Sequence, residues 1–278
     1  METATEQTTG GTIWEAARVL LSYFEARPEL LASKPSVLEL GSGTGFLGMS
    51  LARDVETRRI VLTEMVQGGA LTWLERNVRR NREAGLPLET LSTAALDWSW
   101  VDADDAATPS AAREEESDSD THGVNSAKAI LDDAWDVIIG SDLVYNEVGA
   151  RMLPKVIARL LGSSSKHDAV CYYAHTLNRF EFLDKDFLEA LKEEGVRCVK
   201  VWPEAEASSS SSDEAGGGDG DGEEEEEFTF SGELFPEQRV VVFRMDVAGS
   251  GRADAGPEND ATLAWHIGTL EGERDDGE

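Results

Sequence analysis

The stretch SVLELGSGTGFLG, at residues 36–48, decides the fold of this 278-residue chain. Its first five residues form a short, mostly apolar run, which is typical of a buried β-strand. The glycines that follow tolerate positive φ angles and let the backbone approach a ligand closely. Because a helical pattern begins directly at Thr44, we expect a strand, a tight glycine turn and a helix, with a ligand bound at the turn.

Strand and helix patterns alternate outward from this turn, which predicts an α/β fold built on a mostly parallel sheet. The predicted strands are residues 36–40, 59–64, one run within 88–98, 135–142, 169–174, 196–201 and 239–245. The predicted helices are residues 13–26, 44–53, 67–83, 147–161 and 180–194. No helix separates the last two strands, and a crossover to a parallel strand normally needs one. We therefore expect the last strand to be antiparallel.

The charge of the chain is concentrated in three segments. The sequence has 55 acidic and 25 basic residues, which gives a formal charge of −30. Most of this acidic surplus lies in residues 102–120, 203–227 and 254–278. The chain lacks the basic surplus that neutralises phosphates, so we expect no direct nucleic-acid binding. An acidic surface instead suits a protein partner with a basic surface.

The same composition predicts the domain boundaries. We expect a disordered N-terminus at residues 1–12 and a single folded domain at residues 13–247. Acidic runs rich in Ser and Gly predict disordered inserts at residues 99–134 and 203–227, and an acidic tail at residues 248–278. The folded part is then an ordinary, mildly acidic globular body.

Cysteine, histidine and hydropathy patterns exclude several classes of protein. Cys171 and Cys198 are too few for a disulfide scaffold or a Cys-rich zinc site, and the four histidines lack metal-ligand spacing, so no metal is expected. No apolar run approaches the ~20 residues of a membrane span. The first residues have neither a basic start nor an apolar stretch, so no signal peptide is predicted. We expect a reduced monomer in the cytoplasm, and also in the nucleus.

The glycine turn itself suits two kinds of ligand. Gly43, Gly45 and Gly48 match the pattern G-x-G-x-x-G, and Glu64 follows Gly45 by 19 residues at the end of the next predicted strand. This spacing is typical of a nicotinamide-dinucleotide site. The carboxylate of Glu39, however, would repel a pyrophosphate beside the turn. S-adenosylmethionine carries an ammonium and a sulfonium instead, and its ribose hydroxyls can donate to Glu64, so the acidic pair favours this cofactor.

Five short motifs follow one another in a specific order. They are Trp14 in GTIWEAA, ELGSGTG at residues 39–45, Glu64, LDW at residues 96–98 and SDLVY at residues 141–145. Together they resemble the class I, seven-strand S-adenosylmethionine-dependent methyltransferases, in the lysine methyltransferase 21-like group. The resemblance covers about residues 10–247 without the two inserts. It implies a Rossmann-like fold, with helices on both faces of a mostly parallel sheet whose last strand is antiparallel.

The resemblance also implies an activity. It is that of a protein-lysine N-methyltransferase with S-adenosyl-L-methionine as cofactor. Members of this group act on non-histone proteins such as translation factors and chaperones, and Leu234-Phe235-Pro236 is most similar to the elongation factor 2 enzymes. The strand order of the fold places the last strand between the strands of Cys171 and Cys198. Their Cα atoms would lie ~10 Å apart, beyond the ~7 Å limit of a disulfide, so both are expected to be free thiols.

The functional residues of the family map onto matching positions of this sequence. Trp14 is expected to cover the methionine end of the cofactor, Glu64 to hold its ribose, and Trp98 to pack on its adenine. The remaining candidate cofactor-binding residues are Glu39, Gly41, Ser42, Gly43, Gly45, Asp97 and Ser141. Asp142 and Tyr145 are the candidate catalytic residues, because the resemblance places them at the entrance for the acceptor amine.

Other interpretations of these residues stay open. Trp14 also suits a core position on its amphipathic helix, and Asp142 suits the N-cap of the helix that follows it. Methyltransferases for protein histidine, protein arginine or a small molecule share the fold, which cannot decide among nucleophiles. A cofactor-binding adaptor without turnover and a dinucleotide oxidoreductase are the remaining alternatives.

Overall fold

The computed structural model describes residues 11–102, 127–163, 169–203 and 239–247 of the chain. Its strands are β1 (Ser36–Leu40), β2 (Arg59–Glu64), β3 (Leu91–Ala95), β4 (Val137–Ser141), β5 (Val170–Leu177), β6 (Val196–Trp202) and β7 (Arg239–Val247). They form one sheet in the order β3-β2-β1-β4-β5-β7-β6. The order reverses direction between β1 and β4, and ligands of open α/β sheets bind at the carboxyl ends of the strands at such a reversal.

Helices cover both faces of this sheet. They are α1 (Glu15–Glu25), α2 (Phe46–Asp54), α3 (Ala70–Glu83), α4 (Glu147–Ser163) and α5 (Glu181–Glu193). The buried side chains of α1, α2 and α3 form one core with one face of the sheet, and those of α4 and α5 form a second core with the other face. Of the helices described, none has the length and apolar character needed to cross a membrane.

Alternate residues of the central strands supply these two cores. Along β5, Val170 and Tyr172 join the core of α1, whereas Cys171 and Tyr173 join the core of α4. Every residue of β1 is buried. Burial on both faces is typical of parallel strands between two layers of helices, and it explains why these strands are nearly continuous apolar runs in the sequence.

The last strand confirms the predicted reversal of direction. β7 pairs antiparallel with both β5 and β6, whereas the other neighbouring strands are parallel. Met245 of β7 faces Cys171 on one side and Cys198 on the other, and both thiols are free, as predicted. Burial raises the pKa of both thiols, so neither is a ready nucleophile at neutral pH.

Two boundaries differ from those expected. The predicted insert at residues 99–134 is too wide, because Trp98–Asp102 forms a 3₁₀ turn and residues 127–131 are helical. Apolar side chains of this second segment are buried in the core of α4. β5 continues beyond its predicted end at Ala174, because residues up to Leu177 pair with β7. This extension brings further polar residues to the edge where the glycine turn lies.

The other segments predicted to be disordered fall outside the described residues. These are residues 1–10, 103–126 and 204–227 of the predicted segments and the predicted tail at residues 248–278, and residues 228–238 also lie outside. The Leu234-Phe235-Pro236 motif is among them, so its similarity to the elongation factor 2 enzymes stays a prediction from the sequence.

Candidate active site

The glycine turn lies at the carboxyl end of β1, the edge at which sheets of this kind bind ligands. Gly41, Gly43 and Gly45 have positive φ angles of 55°, 52° and 78°. A Cβ atom on Gly41 would lie 2.5 Å from Cδ2 of Leu143, so a larger residue would have to displace this side chain as well as adopt the positive φ. The turn therefore presents bare backbone to whatever binds at this edge.

Glu64, the last residue of β2, holds the turn in place. Its Oε2 accepts a hydrogen bond from Gly43 N–H at 2.9 Å, and its Oε1 accepts one from Met65 N–H at 3.1 Å. Ser42 N–H donates to the backbone oxygen of Thr63 at 2.9 Å, which joins the turn to the same strand. A carboxylate has about four acceptor positions, so Glu64 can still accept from the hydroxyls of a ribose. Burial raises the pKa of this carboxyl.

Glu39 lies beneath the turn, and its side chain supports the protein backbone. It is only 3% exposed, and its Oε2 accepts from Gly48 N–H, near the start of α2, at 3.1 Å. Burial raises the pKa of Glu39 from its ordinary 4.5 to about 8, although the hydrogen bonds from Ser42 and Gly48 act in the opposite direction. The charge argument made from the sequence is corrected by this environment. The carboxyl is mostly protonated at pH 7 and does not repel a pyrophosphate.

The LDW motif directly follows β3 and lies beside Glu64. Leu96 N–H donates to the backbone oxygen of Glu64 at 3.0 Å. Asp97 Oδ1 accepts from Ser99 N–H at 2.9 Å and from Ser99 Oγ at 2.7 Å, so this carboxylate caps the 3₁₀ turn. Trp98 is half-buried and packs against the core of α4. The motif thus borders Glu64, which holds the glycine turn, and the packing of Trp98 on adenine stays a prediction.

Asp142 is a buried anchor at the end of β4, where it follows Ser141. Its backbone has a φ of 50°, and its side chain is only 3% exposed. Oδ1 accepts from Thr176 N–H at 2.8 Å, and Oδ2 accepts from Thr176 Oγ1 at 2.9 Å. Its own N–H donates to the backbone oxygen of Ala174 at 2.9 Å. A non-glycine residue held in a left-handed conformation often marks a functional position.

Arg179 is a site residue that the sequence interpretation missed. Its Nη1 lies 3.1 Å from Oδ2 of Asp142, and its Cζ lies 4.9 Å from the centre of the Trp14 ring. Trp14 is 37% exposed, so it is not a core aromatic residue. One feature of the sequence could have indicated it. Arg179 lies just beyond the end of β5, the strand that pairs with the strand before Asp142.

A buried polar chain joins the two loops that carry Asp142 and Arg179. Leu143 N–H donates to Tyr173 Oη at 2.9 Å, and this hydroxyl lies 3.4 Å from Nδ1 of His175. Nε2 of His175 lies 2.8 Å from Oδ1 of Asp184, whose Oδ2 accepts from Asn178 N–H at 2.8 Å. Burial raises the pKa of Tyr173 well above its ordinary value, so the hydroxyl remains a donor. This series of hydrogen bonds fixes the two loops relative to each other.

Tyr145 lies at the same edge and faces solvent. Its side chain is 43% exposed, and two further aromatic residues are exposed at the start of α5, Phe180 at 37% and Phe182 at 63%. Asn146 Oδ1 accepts from Gly149 N–H at 2.7 Å. Asn146 therefore caps α4, in place of the alternative in which Asp142 was the cap. Exposed aromatic side chains at the carboxyl edge suit contact with a protein substrate.

Two further observations concern a cavity away from this site and the arrangement of metal-binding side chains. A hollow of about 380 Å³, lined by residues such as Phe24, Leu31 and Val55, lies at the amino ends of β1 and β2, opposite the glycine turn. Across residues 11–102, 127–163, 169–203 and 239–247, no group of three His, Cys, Asp or Glu side chains is arranged to hold a metal ion.

Comparison with known proteins finds a similarity to lysine methyltransferases. Residues 1–111 match a family described as lysine methyltransferase. Protein N-lysine methyltransferase METTL21A of Xenopus tropicalis is 28% identical over 184 residues, which cover 65% of this chain and 66% of that protein. The match thus spans slightly less than two thirds of this relative. Over these residues the chain is similar to lysine methyltransferases.

Solved structures with a looser similarity to this chain include two that are 14% identical. A putative RNA methyltransferase from Pyrococcus horikoshii covers 87% of this chain and 90% of its own, with a TM-score of 0.43. TYW2 of M. jannaschii, solved in complex with AdoMet, covers 85% of this chain and 78% of its own, with a TM-score of 0.40. The strand order of this chain, with β7 antiparallel between β5 and β6, is itself that of the Rossmann-like class I fold.

The site fits S-adenosyl-L-methionine, the cofactor that the sequence resemblance implies. The bare backbone of the turn at Gly41 and Gly43 permits close approach, and Glu64 has acceptor positions for ribose hydroxyls. Trp14 presents an exposed indole at the same edge, and aromatic faces attract cations such as a sulfonium. Hydrogen bonds connect Glu64 with Gly43 and Leu96. A second group consists of Arg179 with its two partners, Trp14 and Asp142.

Proposed function

We propose that this chain is a methyltransferase that transfers a methyl group from S-adenosyl-L-methionine to a lysine side chain of a non-histone protein, such as a translation factor or a chaperone. The observation that carries the proposal is the pairing of the Asp142 carboxylate with the indole of Trp14 around a cationic side chain. A carboxylate and an aromatic face are the partners that an alkylammonium needs. The relative from Xenopus tropicalis, described as a protein N-lysine methyltransferase, supports the same acceptor.

The chain contributes mainly position and environment to this reaction. When bound, S-adenosyl-L-methionine supplies a methyl group whose carbon accepts the lone pair of the nitrogen while the C–S electrons stay with sulfur. The site must hold the nitrogen, carbon and sulfur in line with the reacting atoms ~3–3.5 Å apart. Asp142 is suited to orient the amine because Thr176 fixes both of its carboxylate oxygens.

The acceptor lysine must also lose a proton before it reacts. The ordinary pKa of a lysine amine is ~10.4, so the ammonium form dominates in water. Desolvation at the entrance and the nearby positive sulfonium both lower this pKa, whereas the carboxylate of Asp142 favours the cationic form in which the lysine first enters the site. The proton leaves to solvent, and Tyr145, which is exposed at the entrance, lines the path of the lysine stem. No dedicated general base is needed in this scheme.

Transfer of a labelled methyl group tests the proposal directly. We expect the purified full chain and radiolabelled S-adenosylmethionine to label a protein in a cell lysate, with mass spectrometry locating the methyl group on lysine. Labelling on histidine or arginine would instead identify another nucleophile, and no protein labelling would exclude protein methylation.

A binding measurement tests the cofactor site separately. Glu64→Ala removes a carboxylate that accepts two backbone hydrogen bonds at the turn. We expect calorimetry to show cofactor binding weakened by ~1–3 kcal/mol, because hydrogen bonds to charged groups have about this strength. Glu89→Ala removes an exposed carboxylate before β3 and serves as the control. Equal affinities of the two variants would place the cofactor elsewhere.

A further inference from the structure

The guanidinium of Arg179 occupies a small cation site made by three separate parts of the fold. Trp14 precedes α1, Asp142 follows β4, and Arg179 precedes α5. The guanidinium carbon lies 4.9 Å from the centre of the Trp14 ring, and Nη1 lies 3.1 Å from Oδ2 of Asp142. An aromatic face opposite a carboxylate is an environment that binds cations, whether guanidinium or alkylammonium.

Asp142 keeps its position without help from Arg179. Thr176 donates to both carboxylate oxygens, through its N–H at 2.8 Å and through its Oγ1 at 2.9 Å. Thr176 is itself held by the pairing of β5 with Val240 of β7. If the guanidinium leaves, the carboxylate therefore stays in place, and Oδ2 regains an acceptor position directed at the space between it and the indole.

The contact made by Arg179 is suited to exchange. A single N–H of the guanidinium contacts the carboxylate, at the longest of its three side-chain hydrogen-bond distances, whereas arginine–carboxylate pairs built for strength are bidentate. Arg197 and Asp246 form such a bidentate pair elsewhere in the sheet, with both distances at 2.7 Å. The side chain of Arg179 is also 27% exposed, so it has a route into solvent.

We propose that Arg179 is an internal stand-in for the substrate, occupying the subsite that receives the alkylammonium of the acceptor lysine. This inference rests on the proposed lysine methyltransferase function and adds a gate to it. An incoming lysine replaces one cation with another, so the buried carboxylate is never left without a positive partner. A neutral side chain offers no such replacement. Arg179 therefore selects for cationic acceptors and closes the subsite when none is bound.

Binding of a small cationic probe tests this assignment without requiring turnover. The probe is n-butylamine at pH 7.5, where it is protonated, and 1-butanol is its neutral analogue of similar size. We expect Arg179→Ala to bind the ammonium about tenfold more tightly than the wild-type chain, because the competing internal cation is gone. Affinity for butanol should stay the same. Dissociation constants from ligand-observed NMR provide the comparison.

Matched variants identify the source of any gain. Arg76→Ala removes an arginine that stacks on exposed Trp73 with a Cζ-to-ring distance of 4.9 Å, and it should leave both affinities unchanged. Adding Asp142→Asn to Arg179→Ala should abolish the gain, and asparagine tolerates the positive φ at this position. Arg179→Gln provides the same test with a longer neutral side chain, should the alanine variant fold poorly.

The results separate this inference from the proposed function. Equal ammonium affinity in the wild-type chain and both Arg179 variants would overturn it, and so would an equal gain for butanol, which would mean that only space was created. A tenfold increase in affinity for protonated n-butylamine that is lost with Asp142→Asn supports the proposed role of Arg179, even if no lysate protein is labelled. If lysine is labelled but the Arg179 variants bind protonated n-butylamine no more tightly than the wild-type chain, the methyltransferase proposal stands and the role of Arg179 is rejected.

Discussion

The carboxyl of Glu39 should make the stability of the folded chain fall as the pH rises, and replacing it with glutamine should remove that dependence. The group is buried beneath the glycine turn, and burial raises its pKa from 4.5 to about 8. Glutamine has nearly the same shape and keeps an oxygen to accept from Gly48 N–H. Its amide can donate to the Ser42 hydroxyl beside it. The substitution thus removes a titratable proton while it preserves the packing.

The sign and size of the effect follow from linkage between protonation and folding. A folded-state pKa above the unfolded one means that the folded chain holds the extra proton, so stability is fully present below pH 4.5 and is lost as the pH rises through about 8. At ~1.36 kcal/mol per pH unit, the loss between pH 5 and pH 9 is about 4 kcal/mol. For a domain of this size that loss corresponds to a Tm difference of about 8–16 °C.

Thermal unfolding followed by circular dichroism between pH 5 and pH 9 measures this loss. The difference in Tm between Glu39→Gln and the wild-type chain should grow steadily with pH, because all other titrating groups cancel in the difference. Glu75→Gln, which changes an exposed carboxylate on α3, should give a constant difference. If Glu39→Gln also gives a constant difference, the carboxyl is ionised across the range, and the argument from burial is wrong.

Two further predictions concern the glycine turn and the buried polar chain. Gly48→Ala should destabilise the chain by about 1–3 kcal/mol and weaken cofactor binding, because its Cβ would lie 2.2 Å from Cδ2 of Leu62. Gly162→Ala, whose Cβ has nothing within 4 Å, should be neutral or stabilising by chemical denaturation. Tyr173→Phe should cost about 1–3 kcal/mol, since it leaves a buried N–H unpaired, and should lower methyl transfer with cofactor affinity unchanged. Tyr172→Phe removes a buried hydroxyl from the other face of the same strand, and an equal loss of transfer there would show that the effect is general.

The architecture could be predicted largely from local sequence patterns. Strand and helix periods, the glycine turn after β1 and the missing helix before β7 are local features, and each predicted its element correctly. Boundaries were less predictable where tertiary contacts extend an element. β5 continues to Leu177 only because β7 lies beside it, and residues 127–131 are helical and buried against the core of α4.

Within the site, the sequence predicted where residues lie in the fold better than it predicted their charge state. It placed Glu64, Asp97 and Asp142 at strand ends, because a strand pattern fixes where its carboxyl end lies. It could not show that Glu39 is buried, so a charge was assigned to a carboxyl that burial keeps mostly protonated at pH 7. Charge state depends on the surrounding solvent and hydrogen bonds, which no spacing rule specifies.

The sequence by itself determined the order of elements, the glycine turn and the motifs of the family, because these depend on residues that are near one another in the chain. The tertiary structure decided which distant side chains meet. Long stretches of chain separate Trp14, Asp142 and Arg179. They come together because β4 and β5 end side by side at one edge and α1, which Trp14 precedes, packs against β5. A contact between such residues depends on the orientation of three elements in space, so only the folded chain reveals the cation held between an indole and a carboxylate.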